Sequence, residues 1–191
     1  MRVSRAQAAA NRENVINTAS RLFREHGFDG IGLSDLMSGA GMTQGAFYKQ
    51  FKSKDDLATR AVGRAMEGAA ERWAEAMSME PDNPLAALIG LYLSPGHRDG
   101  VGDGCPIVAL GADAARGSED VRAALEEGIR ERIDVLAAHM TGDPDARRKA
   151  MAIGATMVGA LLLARAVNDE ALSDEFLAAA REELRRSIGA S

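Results

Sequence analysis

The chain has 191 residues, 46% of them hydrophobic and 27% charged, with a formal charge of −5. That is the size of one or two small domains with a real core, and the composition is that of an ordinary soluble protein. Few prolines, abundant Ala, Leu, Glu and Arg, and almost no β-branched runs point to an all-helical fold.

The charge is unevenly placed. Residues 1–60 hold nine Lys/Arg against six Asp/Glu, whereas residues 61–191 hold fourteen against twenty-two. A basic front on an acidic body suggests two tasks, with any polyanion bound at the front. One cysteine, Cys105, excludes an intramolecular disulfide and suits a reducing cytoplasm. The start MRVSRAQAAANRENV lacks the apolar stretch of a signal peptide. The uncharged run 150–164 is shorter than the roughly 20 residues needed to cross a bilayer. A cytoplasmic protein without a membrane partner is the expectation.

In chain order, Val15, Ile16, Ala19, Leu22 and Phe23 form an apolar stripe at helical period, closed by His26-Gly27. A short helix is predicted over 33–39 with Gly32 at its N-cap. Ala40-Gly41-Met42 is a tight turn, and Thr43 caps a third helix reaching residue 51. Ser53 and Asp56 resemble a capping box that opens a long helix over 54–77. Pro81-Asp82-Asn83-Pro84 breaks the chain before a helix over 85–93. The glycine-rich segment 94–104 reads as the longest loop. Helices then follow over 106–116, 118–140, 144–167 and 173–188.

Two short helices joined by a four-residue turn and braced by a longer one match a helix-turn-helix over residues 5–57. Leu36, Phe47 and Phe51 should pack beneath, against Ile16, Leu22 and Phe23. The third helix then projects Thr43, Gln44, Gly45, Tyr48 and Lys49 outward.

The run IGLSDLMSGAGMTQGAFYKQFKSKDDL resembles the DNA-binding signature of the TetR family of transcriptional regulators. The matching positions are Leu36, Ala40-Gly41-Met42-Thr43, Phe47-Tyr48, Phe51, Lys54 and Leu57, preceded by Ala19, Leu22-Phe23 and Gly27-Phe28. The resemblance implies that the third helix enters the major groove of double-stranded DNA. Thr43 and the amides at its helix start then meet phosphate, and Gln44 is placed to pair with adenine. Gly45 permits close approach, Tyr48 and Lys49 contact the backbone, and Lys54 contacts phosphate. Gly32 stands where the family often has Thr, which leaves Ser34 as the polar side chain of the second helix with reach to DNA.

The division expected is residues 1–53 for DNA binding and 54–191 for effector binding and dimerisation. The helix over 144–167 is rich in small residues that permit close packing. With the last helix it offers Met151, Ala155, Gly159, Leu162, Phe176, Leu177, Ala180 and Leu184 as half of a four-helix bundle between two subunits, or else as an intramolecular core. The resemblance implies the homodimer, a pseudo-palindromic operator, repression, and a small-molecule pocket among the middle helices. Met66, Trp73, Tyr92, His97 and Cys105 are its candidate lining. The acidic balance of residues 61–191 argues against a strongly anionic effector.

Cys105 precedes Pro106 at a helix start, where a thiolate is stabilised. His97 or Arg98 would add to that if the loop folds back. Gly104-Cys105-Pro106 resembles a segment of TetR-like regulators that respond to electrophiles or oxidants, so a cysteine-based sensor is one alternative. A helical interaction protein without DNA binding is another, although it leaves the N-terminal signature unexplained. His26, His97 and His139 lack metal-ligand spacing, and Gly100-x-Gly102-x-Gly104 follows no strand. Neither a cofactor, a metal nor an enzymatic activity is expected.

Overall fold

The computed structural model describes residues 4–189, and all regular structure among them is helical. The elements are α1 (Arg5–His26), α2 (Leu33–Gly39), a 3₁₀ helix (Gln44–Lys49), α3 (Lys54–Met79), α4 (Pro84–Tyr92), α5 (Pro95–Asp99), α6 (Pro106–Arg116), α7 (Glu119–Ala138), α8 (Ala146–Ala166) and α9 (Glu170–Ser187).

Local chemistry sets many of the helix starts. The Ser4 hydroxyl accepts the Gln7 N–H and opens α1, and the Ser53 hydroxyl accepts the Asp56 N–H and opens α3. The Asp56 carboxylate reaches back to the Lys52 N–H at 3.1 Å, a variant of the capping box shifted by one residue. Asp169 accepts the N–H groups of Ala171 and Leu172, which starts α9 three residues ahead of the expected position.

Two expectations needed correction. The segment 94–104 is not one open loop, because α5 forms within it. Ser94 caps the His97 N–H, Pro95 fixes the first turn, and Arg165 clamps the carbonyls of His97 and Arg98 at 2.7 and 2.8 Å. The third helix is a six-residue 3₁₀ turn rather than an α-helix running to residue 51. Gly45 in its first turn weakens the helix, and aromatic burial at Phe47 and Phe51 holds this segment in place instead.

Two cores lie along the long helix α3. The first gathers Phe23, Leu36, Phe47, Phe51, Leu57 and Val62 with Leu110, Val121 and Leu125. The second gathers Trp73, Leu88, Tyr92, Cys105, Leu136, Met157, Leu161, Leu177 and Leu184. Helices α3 and α7 pack against each other along both cores. At the seam, Arg132 donates to the carbonyls of Gly128 and Met66, each at 2.9 Å, and so ties α7 to α3.

Gly128 is where these two helices come closest. A Cβ there would lie 2.8 and 2.9 Å from Cγ and Cβ of Met66. Gly128→Ala is therefore expected to destabilise the fold by about 1–3 kcal/mol through overpacking, despite its better helix propensity. A urea midpoint unchanged from wild type would show that the seam can yield.

Helix α8 is long and apolar enough to cross a membrane by length and composition, once Lys149 and Arg165 at the ends of its uncharged run are counted in. Only 28% of that apolar window is buried within the subunit. Met151, Leu162 and Leu163 lie exposed on it.

Candidate functional site

The N-terminal helices present one continuous polar face. Ser34, Thr43, Gln44, Gly45, Tyr48 and Lys49 are all exposed there. Tyr48 is 70% exposed, although its ring edge packs on Phe47 with centroids 5.3 Å apart. Gly41, with φ +69°, makes the turn that brings the 3₁₀ helix against α2. Asn14 of α1 donates to the Ala40 carbonyl at 2.8 Å and holds that turn from below.

Several of these groups are chemically unspent. The Thr43 hydroxyl makes no capping bond to the helix it precedes. At Gly45 an added Cβ meets nothing within 4 Å, so the subunit's own packing does not require a glycine there. Lys54 differs: it is half-buried, and its Nζ donates to the Ile31 carbonyl at 2.7 Å. It pins the start of α3 to the turn before α2, with two N–H groups left over.

The second feature is a two-lobed cavity between α3, α4, α5, α7 and α8. The lobes measure about 290 and 300 Å³. Trp73, Tyr92, Cys105 and Arg132 line both and form the waist between them. The first lobe adds Arg72, Ser94, His97 and Asp103, and the second adds Ile129, Ile133, Leu136, Met151 and Val158.

Of the residues expected around a pocket, Trp73, Tyr92, His97 and Cys105 thus face the cavity. Met66 does not: its side chain packs on Gly128, and only its carbonyl takes part, as the acceptor of Arg132. Arg132 and Arg72 were missed. Arg132 carried a legible signal, because it interrupts the buried stripe Val121, Leu125, Gly128, Leu136 of α7 with a charge.

His97 is held at both ring nitrogens. Its Nε2 accepts the Cys105 N–H at 3.0 Å, so Nδ1 carries the proton and donates to the Tyr92 carbonyl at 2.7 Å. A ring committed to two backbone groups is not free to act as a base for Cys105. Arg98 also turns away from Cys105, bonding Ser173, Asp174 and Asp99.

Burial lowers the His97 pKa, outweighing the Tyr92 carbonyl that raises it. Below pH of about 6.5 the unfolded chain takes up a proton that the folded ring resists. This contribution to stability is complete above that pH and declines as pH falls below it. The urea midpoint is expected to drop between pH 7.5 and 5.5, and His97→Gln should make that drop smaller. An equal drop in both proteins would assign it to other groups.

Helix α6 runs from the cavity wall to the end of α1. Its first residues follow Cys105 at the cavity wall, and near its other end Asp113 accepts the Phe28 N–H at 3.2 Å, just past α1. Gly27, with φ +76°, allows this approach, since a Cβ there would lie 2.7 Å from the Asp113 carboxylate.

A sequence profile described as "Transcriptional regulator LmrA/YxaF-like, C-terminal domain" matches residues 85–182, about half the chain. A second, "Bacterial regulatory proteins, tetR family", matches residues 15–61, the segment that carries most of the polar face. The chain belongs to the TetR family of bacterial regulatory proteins.

Among its TetR-family relatives, the HTH-type transcriptional repressor NemR of Escherichia coli is 30% identical over 128 residues. That alignment covers 65% of this chain and 64% of NemR, just under two thirds of the relative's length. The HTH-type transcriptional regulator LmrA of Bacillus subtilis is 27% identical over 160 residues, covering 80% of this chain and 85% of LmrA. In three dimensions the chain superposes on the reduced form of E. coli NemR with a TM-score of 0.79 and 26% identity, covering 93% of this chain and 96% of that one. A TetR regulator from Chloroflexus aurantiacus gives a TM-score of 0.81 at 25% identity, with 96% of each chain covered. The fold is the TetR fold, a helix-turn-helix unit followed by a helical body.

Proposed function

We propose that this chain is a homodimeric, DNA-binding transcriptional repressor whose hold on a pseudo-palindromic operator is released by a small molecule in the two-lobed cavity. The observation that carries this reading is α6, an 11-residue helix with the cavity wall at one end and the Asp113–Phe28 contact to the N-terminal helices near the other. An effector that prefers one arrangement of α6 shifts the population toward that arrangement and changes the spacing of the two DNA-facing elements.

In this reading residues 1–53 form the DNA-binding unit and residues 54–191 the effector-binding and dimerising body, in the cytoplasm. Thr43, Tyr48 and Lys49 bind phosphate, with Lys54 adding its remaining donors, while Gln44 and Ser34 read or flank base edges. Gly45 keeps a side chain out of the groove. The two-fold places the paired elements about 34–36 Å apart, or a small multiple of that.

Dimerisation uses the exposed face of α8 and α9. Met151, Ala155 and Leu162 lie open there, with Gly159, Phe176 and Ala180 half-buried beside them. Leu177 and Leu184, expected at the same interface, are instead buried in the subunit's second core, where α9 packs on α4 and α8.

Selection of genomic fragments on the purified protein, followed by footprinting, tests the function. One protected site with two-fold symmetry is the expected result, and binding no better than to random duplex would refute it. The coupling has its own test. Asp113→Ala leaves the Phe28 N–H without its acceptor, at a cost of about 1–3 kcal/mol. Faster hydrogen exchange at the Phe28 amide is expected, and unaltered exchange would remove Asp113 from the connection.

One observation favours a second reading of the trigger. Cys105 is buried and lines both lobes of the cavity, within reach of an occupant of either. A covalent effector would then act at the same place, and Cys105→Ser would abolish the response while leaving operator binding intact.

A further inference from the structure

Arg72 of α3 and Arg132 of α7 line the first lobe of the cavity, and Arg24 of α1 and Arg165 of α8 lie within electrostatic range of Cys105 at its wall. Among the described residues none of the four has a carboxylate within salt-bridge distance, although eleven other Arg, Lys or His side chains do. Among the described residues Asp103, exposed on the first lobe, is the one acid lining either lobe. The acidic balance of the body as a whole is therefore reversed at this point.

Arg132 is 5% exposed and spends two of its five N–H groups on carbonyls. Its guanidinium lies 5.4 Å from the Trp73 ring centroid, so it is positioned without being neutralised. A buried cation without a counter-charge is costly, and an anion arriving beside it would offset that cost. The Tyr92 hydroxyl has the same character. Tyr92 is 2% exposed, and its hydroxyl lies beside the Cys105 sulfur with no hydrogen-bond partner in good geometry among the described residues. Burial raises the phenol's pKa well above its usual value, so the group stays protonated and can donate.

Resting on the effector-binding reading above, we propose that the cavity takes an amphipathic monoanion. Its compact anionic head lies in the first lobe against Arg132, Arg72 and the Tyr92 hydroxyl, and its apolar body fills the second lobe among Ile133, Leu136 and Val158. A guanidinium pair and a hydroxyl donor match the acceptor oxygens of such a head. A cation of the same shape meets two positive charges. A neutral molecule leaves the donors unpaired, which is the circumstance in which a polar site discriminates most strongly.

Trp73 is the one tryptophan in the chain and lines both lobes, so its fluorescence reports occupancy. The probes are 1-anilinonaphthalene-8-sulfonate and N-phenyl-1-naphthylamine, which share an arylamine body and differ by the sulfonate. Saturable quenching is expected with the sulfonate at least tenfold tighter than the neutral amine. Arg132→Met should erase most of that preference and leave the neutral amine's affinity within about twofold.

Tyr92→Phe supplies a second comparison should Arg132→Met fail to fold. It removes a buried hydroxyl without a well-formed hydrogen bond among the described residues, so thermal stability should hold or rise while sulfonate affinity falls. A structural hydroxyl would show the opposite stability change. Equal affinities for the two probes in wild type would overturn the proposal, as would a preference that survives in the variants. Operator binding without probe is measured on the same wild-type sample. DNA binding without anion preference sinks only this proposal, and anion preference without DNA binding sinks only the repressor reading.

Discussion

Phe47→Ala is expected to cost about 3–5 kcal/mol and to abolish specific DNA binding. Phe47 is among the largest fully buried side chains, stacked on Phe51 at 5.4 Å and edge-on to Tyr48 at 5.3 Å. The segment that carries it is a 3₁₀ helix of six residues, too short to hold its own geometry through backbone bonds. Burial of this ring therefore positions Thr43, Gln44, Tyr48 and Lys49 as a set. Chemical denaturation followed by circular dichroism measures the first effect, and gel shift on the selected operator measures the second. A variant that retains wild-type stability would place the anchor elsewhere, with Phe51 the next candidate because Arg12 also packs over its ring at 4.6 Å.

Leu162→Glu acts at the other end of the molecule and separates assembly from folding. Leu162 is 50% exposed in the subunit, so the substitution leaves the core intact and should change the stability of the isolated subunit by less than about 0.5 kcal/mol. Across a two-fold interface it would bring unpaired carboxylates into an apolar face on both sides. A dimer is expected to become a monomer in sedimentation experiments at micromolar concentration, with operator affinity reduced at least a hundredfold as one half-site is lost. A Leu162→Glu protein that sediments as a dimer and binds operator normally would move the interface off this face of α8.

The sequence was most legible where periodicity and capping agree. The apolar stripe of α1, the Ser53 cap and the Pro84 and Pro106 starts each combine a helical period with a residue that allows one role. Thr43, a good cap, makes the 3₁₀ segment look α-helical in the sequence, whereas the deciding factor is the tertiary burial of Phe47 and Phe51. The segment 94–104 looks open in the sequence because four glycines and a proline are local signals of a loop. What orders α5 comes from far away in the chain, through Arg165 on the His97 and Arg98 carbonyls.

The polar face was visible in the residues because it is built from one contiguous segment. The cavity was visible only in part. Trp73, Tyr92, His97 and Cys105 stand out by residue type, but only the folded chain shows that Arg72 and Arg132 join them. The overall acidity of residues 61–191 points the other way about ligand charge, since it averages over exposed Asp and Glu of which, among the described residues, Asp103 alone lines the cavity. Leu177 and Leu184 show a similar limit: a helical apolar stripe looks alike whether its partner is α4 of the same subunit or the surface of another.

The most direct test measures fluorescence anisotropy of a labelled operator against salt, for wild type and for Lys49→Ala. Specific binding that weakens steeply with salt is expected, with the slope of log affinity on log salt reduced by about one for each phosphate contact removed. Binding to operator and scrambled duplex with equal affinity, or a slope that Lys49→Ala leaves unchanged, would contradict the placement of DNA on this face.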